Sequence, residues 1–202
     1  ATRFAARFET LADTHAATRA YVFDVAEAGR RRVLALALDY LAAIEAPGIA
    51  ARAARLYDSA DNMTDRMAAL ETLRDLQTPE RERVLADFAE QWADYPLVMD
   101  KWLRLQAMTR RDDSVEHVRE LLGDGRFDFT NPNRIRALLG GFVRGNRVGF
   151  HRADGAGYAL IADEILRLDG LNPQLAAALA GMLTNWARHV TAQAEGMRAA
   201  LT

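Results

Sequence analysis

The sequence predicts an all-α fold, and three observations support this prediction. Apolar residues recur at helical spacing in successive segments, and polar residues followed by proline stand where several of these segments begin. No segment alternates apolar and polar residues between turn signals as a strand would. A chain of 202 residues is long enough to form one substantial core or one extended repeat array.

Apolar residues on one face of successive segments mark the individual helices. Leu34, Leu38 and Leu41 recur at helical spacing, and Pro47-Gly48 interrupts the pattern. Each stripe needs a second apolar surface to cover it, which predicts that the helices pack against one another. Comparable stripes further along the chain begin at Val98, Ile135 and Leu175.

Polar residues followed by proline mark several helix starts. In such a pair the polar side chain accepts a hydrogen bond from an otherwise unpaired N–H, and the proline loses nothing because its position has no intrahelical donor to offer. Asp61 and Asn62 offer a comparable cap before Met63. The three pairs are Thr78-Pro79, Asn131-Pro132 and Asn172-Pro173.

These signals predict ten helical segments with short connections. Such a series suits an α-solenoid of stacked antiparallel helix pairs, similar to ARM and HEAT repeats, and a compact bundle is the alternative. We expect residues 1–202 to form a single helical-repeat domain, although no sequence repeat recurs at a fixed period. The last segment is expected to break near Arg188 to Thr191. The predicted helices cover residues 12–28, 30–45, 49–58, 63–76, 79–93, 97–109, 113–122, 132–144, 158–169 and 173–200.

Composition and charge exclude several classes of function. The formal net charge is -2, and all but one of the 26 basic residues are arginine, so no strong attraction to nucleic acid or to an anionic membrane is predicted. No run approaches the roughly 20 apolar residues that span a bilayer. The absence of cysteine removes disulfides and thiolate chemistry and permits a reducing compartment. We therefore expect a cytoplasmic protein that binds neither nucleic acid nor membrane.

Side chains that can carry chemistry are present but do not form a recognisable active site. No histidine is followed four residues later by a second one, so the zinc-binding HExxH arrangement is absent. His117 and Glu120 share a helix face, but without a third ligand a solvated helix face is expected. Two pairs of carboxylates stand where helices begin and are interpreted as caps and as charges that favour the helix dipole, rather than as catalytic acids and bases. These pairs are Asp61 with Asp65 and Asp112 with Asp113.

Two arginines follow the predicted helix start at Asn131. On a helix beginning at Pro132, Arg134 and Arg136 lie about 200 degrees apart, so they face different surroundings. One can pair within the fold while the other faces solvent or a cavity, where a guanidinium could bind a peptide carboxylate with two hydrogen bonds. A structural salt bridge is the alternative for either residue.

Seven short blocks of sequence occur in the order and at the spacing of a known family. With them, residues 30–200 resemble the C-terminal helical domain of bacterial aminopeptidase N, also called alanyl aminopeptidase, a gluzincin zinc metallopeptidase. Each block alone would be weak evidence, but their order makes the set specific. The blocks are Asp61-Asn62-Met63-Thr64-Asp65, Leu97-Val98-Met99-Asp100-Lys101-Trp102, Asn131-Pro132-Asn133-Arg134-Ile135-Arg136, Phe150-His151, Asp154-Gly155, Gly157-Tyr158 and Asn172-Pro173-Gln174.

The resemblance implies a division of labour within a longer polypeptide. In the family, an upstream catalytic domain with a thermolysin-like fold holds zinc through HExxH and a further glutamate and recognises the free amino end of the peptide. The helical domain caps that active site and encloses a substrate-access chamber. This chain is therefore expected to be noncatalytic by itself, with the catalytic domain of the same polypeptide and the peptide substrate as its partners.

The resemblance also implies two substrate contacts. Arg136 and Gln174 match positions that face the chamber and contact the distal part of the substrate or its ordered water. Ala178 stands four positions after Gln174, where some family members have a basic residue, so this sequence departs from those members there.

The resemblance also bears on the stability of an isolated chain. Family members have additional helices at both ends of the matched region, so an isolated chain would expose apolar faces and is expected to self-associate or to be marginally stable. The alternative to an aminopeptidase cap is a stand-alone helical-repeat scaffold that binds a peptide or protein on a concave surface.

Overall fold

The structure, a computed structural model, describes residues 2–202, and these residues form helices and no strand. The prediction of an all-α fold is confirmed. The chain forms two compact units, the first ending at Gln91 and the second running from Trp92 to Thr202. The expectation that residues 1–202 form one domain stays a prediction.

The first unit contains five α-helices after a short 3-10 helix at Thr2–Phe4. Helix α2 packs against α1, α3 and α4, and α5 packs against α3 and α4. The predicted apolar stripe of α2 lies in this core, since Leu34, Leu38 and Leu41 are at most 3% exposed. The helices are α1 (Ala5–Thr14), α2 (Val25–Ala42), α3 (Ile49–Ser59), α4 (Met63–Leu73) and α5 (Pro79–Gln91).

The second unit contains seven α-helices and is built around α8. Helix α8 packs against α6, α7, α9 and α11, and α10 packs against α11. Ile135, Leu138 and Phe142 of α8 are completely buried. A 3-10 helix, Thr184–Arg188, precedes the last helix. The helices are α6 (Pro96–Ala107), α7 (Ser114–Leu122), α8 (Pro132–Gly145), α9 (Arg147–Phe150), α10 (Ala156–Asp169), α11 (Pro173–Leu183) and α12 (Thr191–Ala199).

The helix starts follow the capping signals in the sequence. The side-chain oxygens of Asn62, Asn131 and Asn172 each accept a hydrogen bond from a backbone N–H of the first turn that follows, at 2.9–3.0 Å. Thr78 makes the same contact with Arg81 at 3.4 Å. These bonds satisfy donors that a helix end leaves unpaired, and they explain why α4, α5, α8 and α11 begin where the sequence predicts.

The predicted helix over residues 12–28 is wrong. Helix α1 ends at Thr14, and α2 begins only at Val25. Asp24 has an extended backbone, and its carboxylate accepts hydrogen bonds from the N–H groups of Ala26 and Glu27, at 2.6 and 3.2 Å. Asp24 therefore caps a new helix, and residues 15–24 connect the two.

Two other boundaries concern the second unit. The short helix α9 was not predicted; it begins after Asn146, whose side chain accepts a hydrogen bond from Gly149 N–H and donates to the carbonyls of Ala107 and Thr109. The expected break in the last segment is confirmed, because α11 gives way to the 3-10 helix and α12 starts at Thr191.

Gly157 marks the closest backbone approach between α9 and α10. A Cβ atom at Gly157 would lie 2.4 Å from the carbonyl oxygen of Phe150 and 2.6 Å from that of Gly149. Both atoms belong to the backbone and cannot rotate away, so the first turn of α10 can rest on α9 only if residue 157 has no side chain. Gly181 of α11 is the contrasting case, with no atom within 4 Å of the equivalent position.

Replacing Gly157 with alanine should therefore lower the free energy of unfolding by about 1–3 kcal/mol or more, because the added methyl group forces α9 and α10 apart. Gly181→Ala is the matched control and should raise it by about 0.5–1 kcal/mol, since alanine is the better helix former. Urea unfolding followed by circular dichroism measures both. Equal effects of the two substitutions would contradict the close approach at Gly157.

Candidate functional site

Arg134 is a structural arginine at the start of α8. Its Nη1 donates to the carboxylate Oδ1 of Asp100 at 2.5 Å and to the carbonyl oxygen of Pro96 at 2.7 Å, and both acceptors belong to α6. The residue is only 7% exposed. A buried guanidinium requires such partners, so Arg134 holds the first turn of α8 against α6.

Arg136 lies on the opposite side of the same helix. It is exposed to solvent and makes no ion pair with any residue in the range 2–202. The angular separation of the two arginines thus gives one buried, paired guanidinium and one free guanidinium, as the sequence predicts. Because the fold does not use Arg136, its charge is available to a ligand.

Gln174 is the second residue with an implied substrate contact. It directly follows Pro173 in the first turn of α11 and is exposed. Helix α11 packs against α8, so Gln174 and Arg136 lie on neighbouring helices of the second unit. Ala178, one turn further along α11, is exposed as well.

The exposed side of α8 carries arginines without a carboxylate partner in residues 2–202. The helix contains three arginines and no acidic residue, and among them only Arg134 has a carboxylate partner within residues 2–202. Arg136 and Arg144 are both exposed. A surface of this kind attracts the carboxylates of a peptide more strongly than a surface of paired charges does.

The candidate metal ligands and catalytic carboxylates from the sequence do not form a site. His117 Nδ1 lies 3.6 Å from Glu120 Oε2, and no group of three or more histidine, aspartate or glutamate side chains in residues 2–202 is arranged to hold a metal ion. Asp113 stands at the N-cap of α7, as predicted, but its carboxylate makes no capping hydrogen bond. It pairs instead with Arg111 at 2.7 Å, which lowers the pKa of Asp113 to about 2.

The second carboxylate pair divides between two roles. Asp61 accepts a hydrogen bond from Tyr21 N–H at 2.7 Å, and this bond is the main cause that lowers the pKa of Asp61. The backbone N–H of Asp65 donates to the side-chain oxygen of Asn62, the cap of α4. The Asn62 amide N–H in turn donates to the Asp65 carboxylate at 2.9 Å. Neither arrangement is that of a catalytic acid and base.

A histidine cluster that the sequence reasoning missed joins three segments of the second unit. His151 Nδ1 lies 2.7 Å from the Tyr158 hydroxyl, and the rings of His151 and His189 are 4.9 Å apart. Burial lowers the pKa of His151, and the nearby His189 and Arg147 lower it further. Tyr158 also contacts the last helix, since a Cβ atom at Gly196 would lie 2.7 Å from its ring.

An open cavity lies in the first unit. Its volume is about 500 Å³, and its lining is polar. The Tyr57 hydroxyl donates to Asp87 at 2.7 Å, and burial, followed by this bond, raises the pKa of Tyr57. The residues around the cavity are Tyr57, Asp58, Arg66, Asp87, Glu90 and Gln91.

One known protein family matches the whole chain. Residues 1–202 match the family described as "Domain of unknown function (DUF3458_C) ARM repeats". The chain belongs to this family. The predicted solenoid of ARM-like helix pairs is thereby confirmed as the fold class of this DUF3458_C domain.

The DUF3458_C domain is similar to part of several aminopeptidases. It is 38% identical to aminopeptidase N of Caulobacter vibrioides over 178 residues, 88% of this chain and 21% of that protein. The Haemophilus influenzae aminopeptidase N is 44% identical over 133 residues, 65% of this chain and 15% of that protein. The Escherichia coli aminopeptidase N is 39% identical over 145 residues, 72% of this chain and 17% of that protein. The chain thus spans about a fifth of these relatives or less.

A solved structure supports the same relationship. The aminopeptidase A of Legionella pneumophila, determined in complex with aspartic acid, superposes with a TM-score of 0.89 and 30% identity over 98% of this chain and 24% of that chain. The resemblance to the C-terminal helical domain of aminopeptidase N is confirmed. No helix within residues 2–202 is both long and apolar enough to cross a membrane.

Most of the family blocks prove to be contacts that hold the DUF3458_C domain together. The block ending in Trp102 supplies the Asp100 partner of Arg134, and Phe150 packs edge-on against Tyr158 with ring centroids 5.1 Å apart. Asn62 and Asn172 cap helices. Arg136 and Gln174 are exposed, as are Leu97, Lys101 and Asn133 of the same blocks, and no hydrogen bond or ion pair within residues 2–202 involves these five side chains.

Replacing Arg134 with alanine should lower the free energy of unfolding by about 3–5 kcal/mol, because Asp100 is left largely buried without its partner. Arg136→Ala, two residues away on the exposed side, is the matched control and should change it by no more than about 0.5 kcal/mol. Urea unfolding measures both variants. A loss for Arg136→Ala as large as that for Arg134→Ala would show that the two side chains are not divided between core and surface.

The histidine cluster should make stability depend on pH. The pKa of His151 in the folded chain lies below its ordinary value of 6.5, so the folded state binds a proton less readily than the unfolded state. The free energy of unfolding should be highest above pH 6.5 and fall as the pH is lowered from 6.5 toward the folded pKa. His151→Gln should reduce that fall. A nuclear magnetic resonance titration of the His151 ring that gave a midpoint at or above 6.5 would contradict this expectation.

Proposed function

We propose that this DUF3458_C domain is the noncatalytic C-terminal part of a zinc aminopeptidase that removes N-terminal amino acids from peptides. The observation that carries the proposal is the similarity of the whole fold to part of an aminopeptidase, together with 38–44% identity to three proteins named aminopeptidase N. The zinc ion and the HExxH motif would then belong to a catalytic domain outside residues 1–202. Hydrolysis by the isolated chain is not expected.

Within that enzyme, the proposed role is to cap the active site and to form the chamber through which peptides enter. Helical repeats suit this role, because helices that pack against one another hold their exposed side chains at fixed positions. The partners are the catalytic domain of the same polypeptide and the peptide. The cytoplasm is the compartment that we propose, since the chain has no cysteine that would require oxidation.

Arg136 and Gln174 are the proposed substrate contacts. Arg136 carries a charge that no carboxylate of residues 2–202 neutralises, on a helix without acidic residues. Its helix is fixed at the first turn by the Asn131 cap and the buried Arg134. Such a guanidinium can bind a peptide carboxylate away from the zinc without taking part in bond cleavage, and the exposed Gln174 amide can bind the peptide backbone or its ordered water.

The second candidate function is a stand-alone helical-repeat scaffold that binds a peptide or protein. The exposed arginines of α8 favour it, since binding of an acidic segment needs no catalytic domain. The gene distinguishes the two functions. An HExxH segment upstream in the same reading frame supports the aminopeptidase, and a stop codon there supports the scaffold.

In the complete enzyme, Arg136→Ala should lower kcat/KM for a peptide of four or more residues by about 10- to 100-fold, the cost of losing a hydrogen bond to a charged group. Hydrolysis of a single-residue chromogenic amide should be unchanged, because that substrate does not reach α8. Gln174→Ala should act in the same direction with a smaller effect.

Arg119→Ala is the matched control, since Arg119 is an exposed arginine on α7. Arg119→Ala should leave the hydrolysis of both substrates unchanged. If Arg136→Ala reduces the hydrolysis of both substrates equally, the assignment of Arg136 to the distal part of the peptide is wrong.

A further inference from the structure

Four exposed apolar side chains lie close together in the sequence of the first unit, at the end of the connector between α1 and α2 and in the first turn of α2. We name them the apolar segment: Tyr21, Val22, Phe23 and Val25. Phe23 is 95% exposed and Val25 is 90% exposed, more than any other large apolar side chain in residues 2–202, and the other two are about 40% exposed. Single exposed apolar residues are common on protein surfaces, but a cluster of large ones marks an interaction site.

The backbone of the apolar segment is held in place. Tyr21 N–H donates to the Asp61 carboxylate at 2.7 Å, and the Arg31 guanidinium lies 4.9 Å from the centre of the Tyr21 ring. Arg31 itself is only 5% exposed. At the other end, Asp24 caps α2. Phe23 and Val25 are therefore presented by an anchored connector rather than by a free tail.

The polar groups around the apolar segment already have hydrogen-bond partners. Glu27 accepts hydrogen bonds from Arg19 and Arg30, at 2.9 and 2.8 Å. Asp24 and Asp61 accept backbone N–H groups, and no charged residue stands between Arg19 and Asp24. The result is an apolar centre with a rim of satisfied polar groups, which is the composition of a protein interface rather than of a site for a charged ligand.

We propose that the apolar segment is the surface on which the first unit docks against the part of the aminopeptidase polypeptide outside residues 1–202. This inference rests on the proposed function. The chain corresponds to 15–21% of the length of its aminopeptidase relatives, so most of such a polypeptide is available as the occupant.

The size of the surface favours an occupant on the same polypeptide over a second copy. A stable complex between separate proteins uses about 20–30 residues on each side, and the apolar segment supplies four side chains. Covalent connection raises the effective concentration to the millimolar range, at which a small apolar contact is occupied. The complementary surface is therefore expected to be apolar and to belong to the same polypeptide.

A photocrosslink in the complete enzyme tests the occupant directly. With p-benzoylphenylalanine at position 23, irradiation should link Phe23's position to a peptide of the same polypeptide outside residues 1–202, identified by mass spectrometry. Crosslinks only between two copies of the enzyme, or none at all, would overturn the proposal.

Hydrogen exchange provides the second measurement. The backbone N–H groups of Val22 and Phe23 donate no hydrogen bond to the residues that the structure describes, so they should exchange at nearly unprotected rates in the 202-residue chain. In the complete enzyme, docking should slow their exchange at least tenfold. Phe23→Ser should restore fast exchange. Leu166→Ser should not, although the Leu166 side chain is also largely exposed, at 76%. Equal rates in the chain and the enzyme would overturn the proposal.

The two proposals fail in different ways. If the complete protein does not hydrolyse peptides, the proposed function is wrong, and the crosslink still identifies what covers Phe23. If it hydrolyses peptides but position 23 stays exposed, the docking surface alone is wrong.

Discussion

The buried ion pair of Arg134 and Asp100 is the interaction on which the second unit most depends. It joins the first turn of α8 to α6, and α8 in turn packs against α7, α9 and α11. A guanidinium this deeply buried is stable only with its partners in place, so the positions of both helices are fixed relative to each other. The Asn131 side chain also fixes the start of α8, because its oxygen accepts a hydrogen bond from the backbone N–H of Asn133.

The sequence predicts those parts of the fold that depend on neighbouring residues. Helix α4 begins at Met63 as predicted, because Asn62 caps it through atoms three residues away. The angle between Arg134 and Arg136 follows from helix geometry alone, so the sequence predicts that they face different surroundings. Which of the two is buried is decided by Asp100 and Pro96, 34 and 38 residues earlier in the chain.

The predictions that failed depend on contacts between distant residues or on competition between partners. The start of α2 is an exception, because Asp24 with Glu27 three residues later is a local capping signal. The connector before it is also held by a hydrogen bond from Tyr21 to Asp61, forty residues later, which no local pattern reveals. Asp113 has the chemistry of a cap, but the guanidinium of Arg111 competes for its carboxylate. The meeting of His151 with His189 requires the packing of α12, and the sequence gives no signal for it.

The same distinction separates the recognition of the family from the assignment of its function. Most of the residues that carry the resemblance are caps, buried partners or ring contacts, so they identify a fold. Exposed block residues such as Arg136, Gln174 and Lys101 have no such partner within residues 2–202, so the fold does not explain them.

The placement of Arg134 and Arg136 has a consequence for how such domains diverge. A change at Arg134 must be matched at Asp100 in the same lineage, so selection should preserve the pair together. Arg136 is under no comparable restraint and can be replaced in one step without unfolding the chain. Homologous domains are therefore expected to vary at exposed positions of α8 while keeping an unchanged interior.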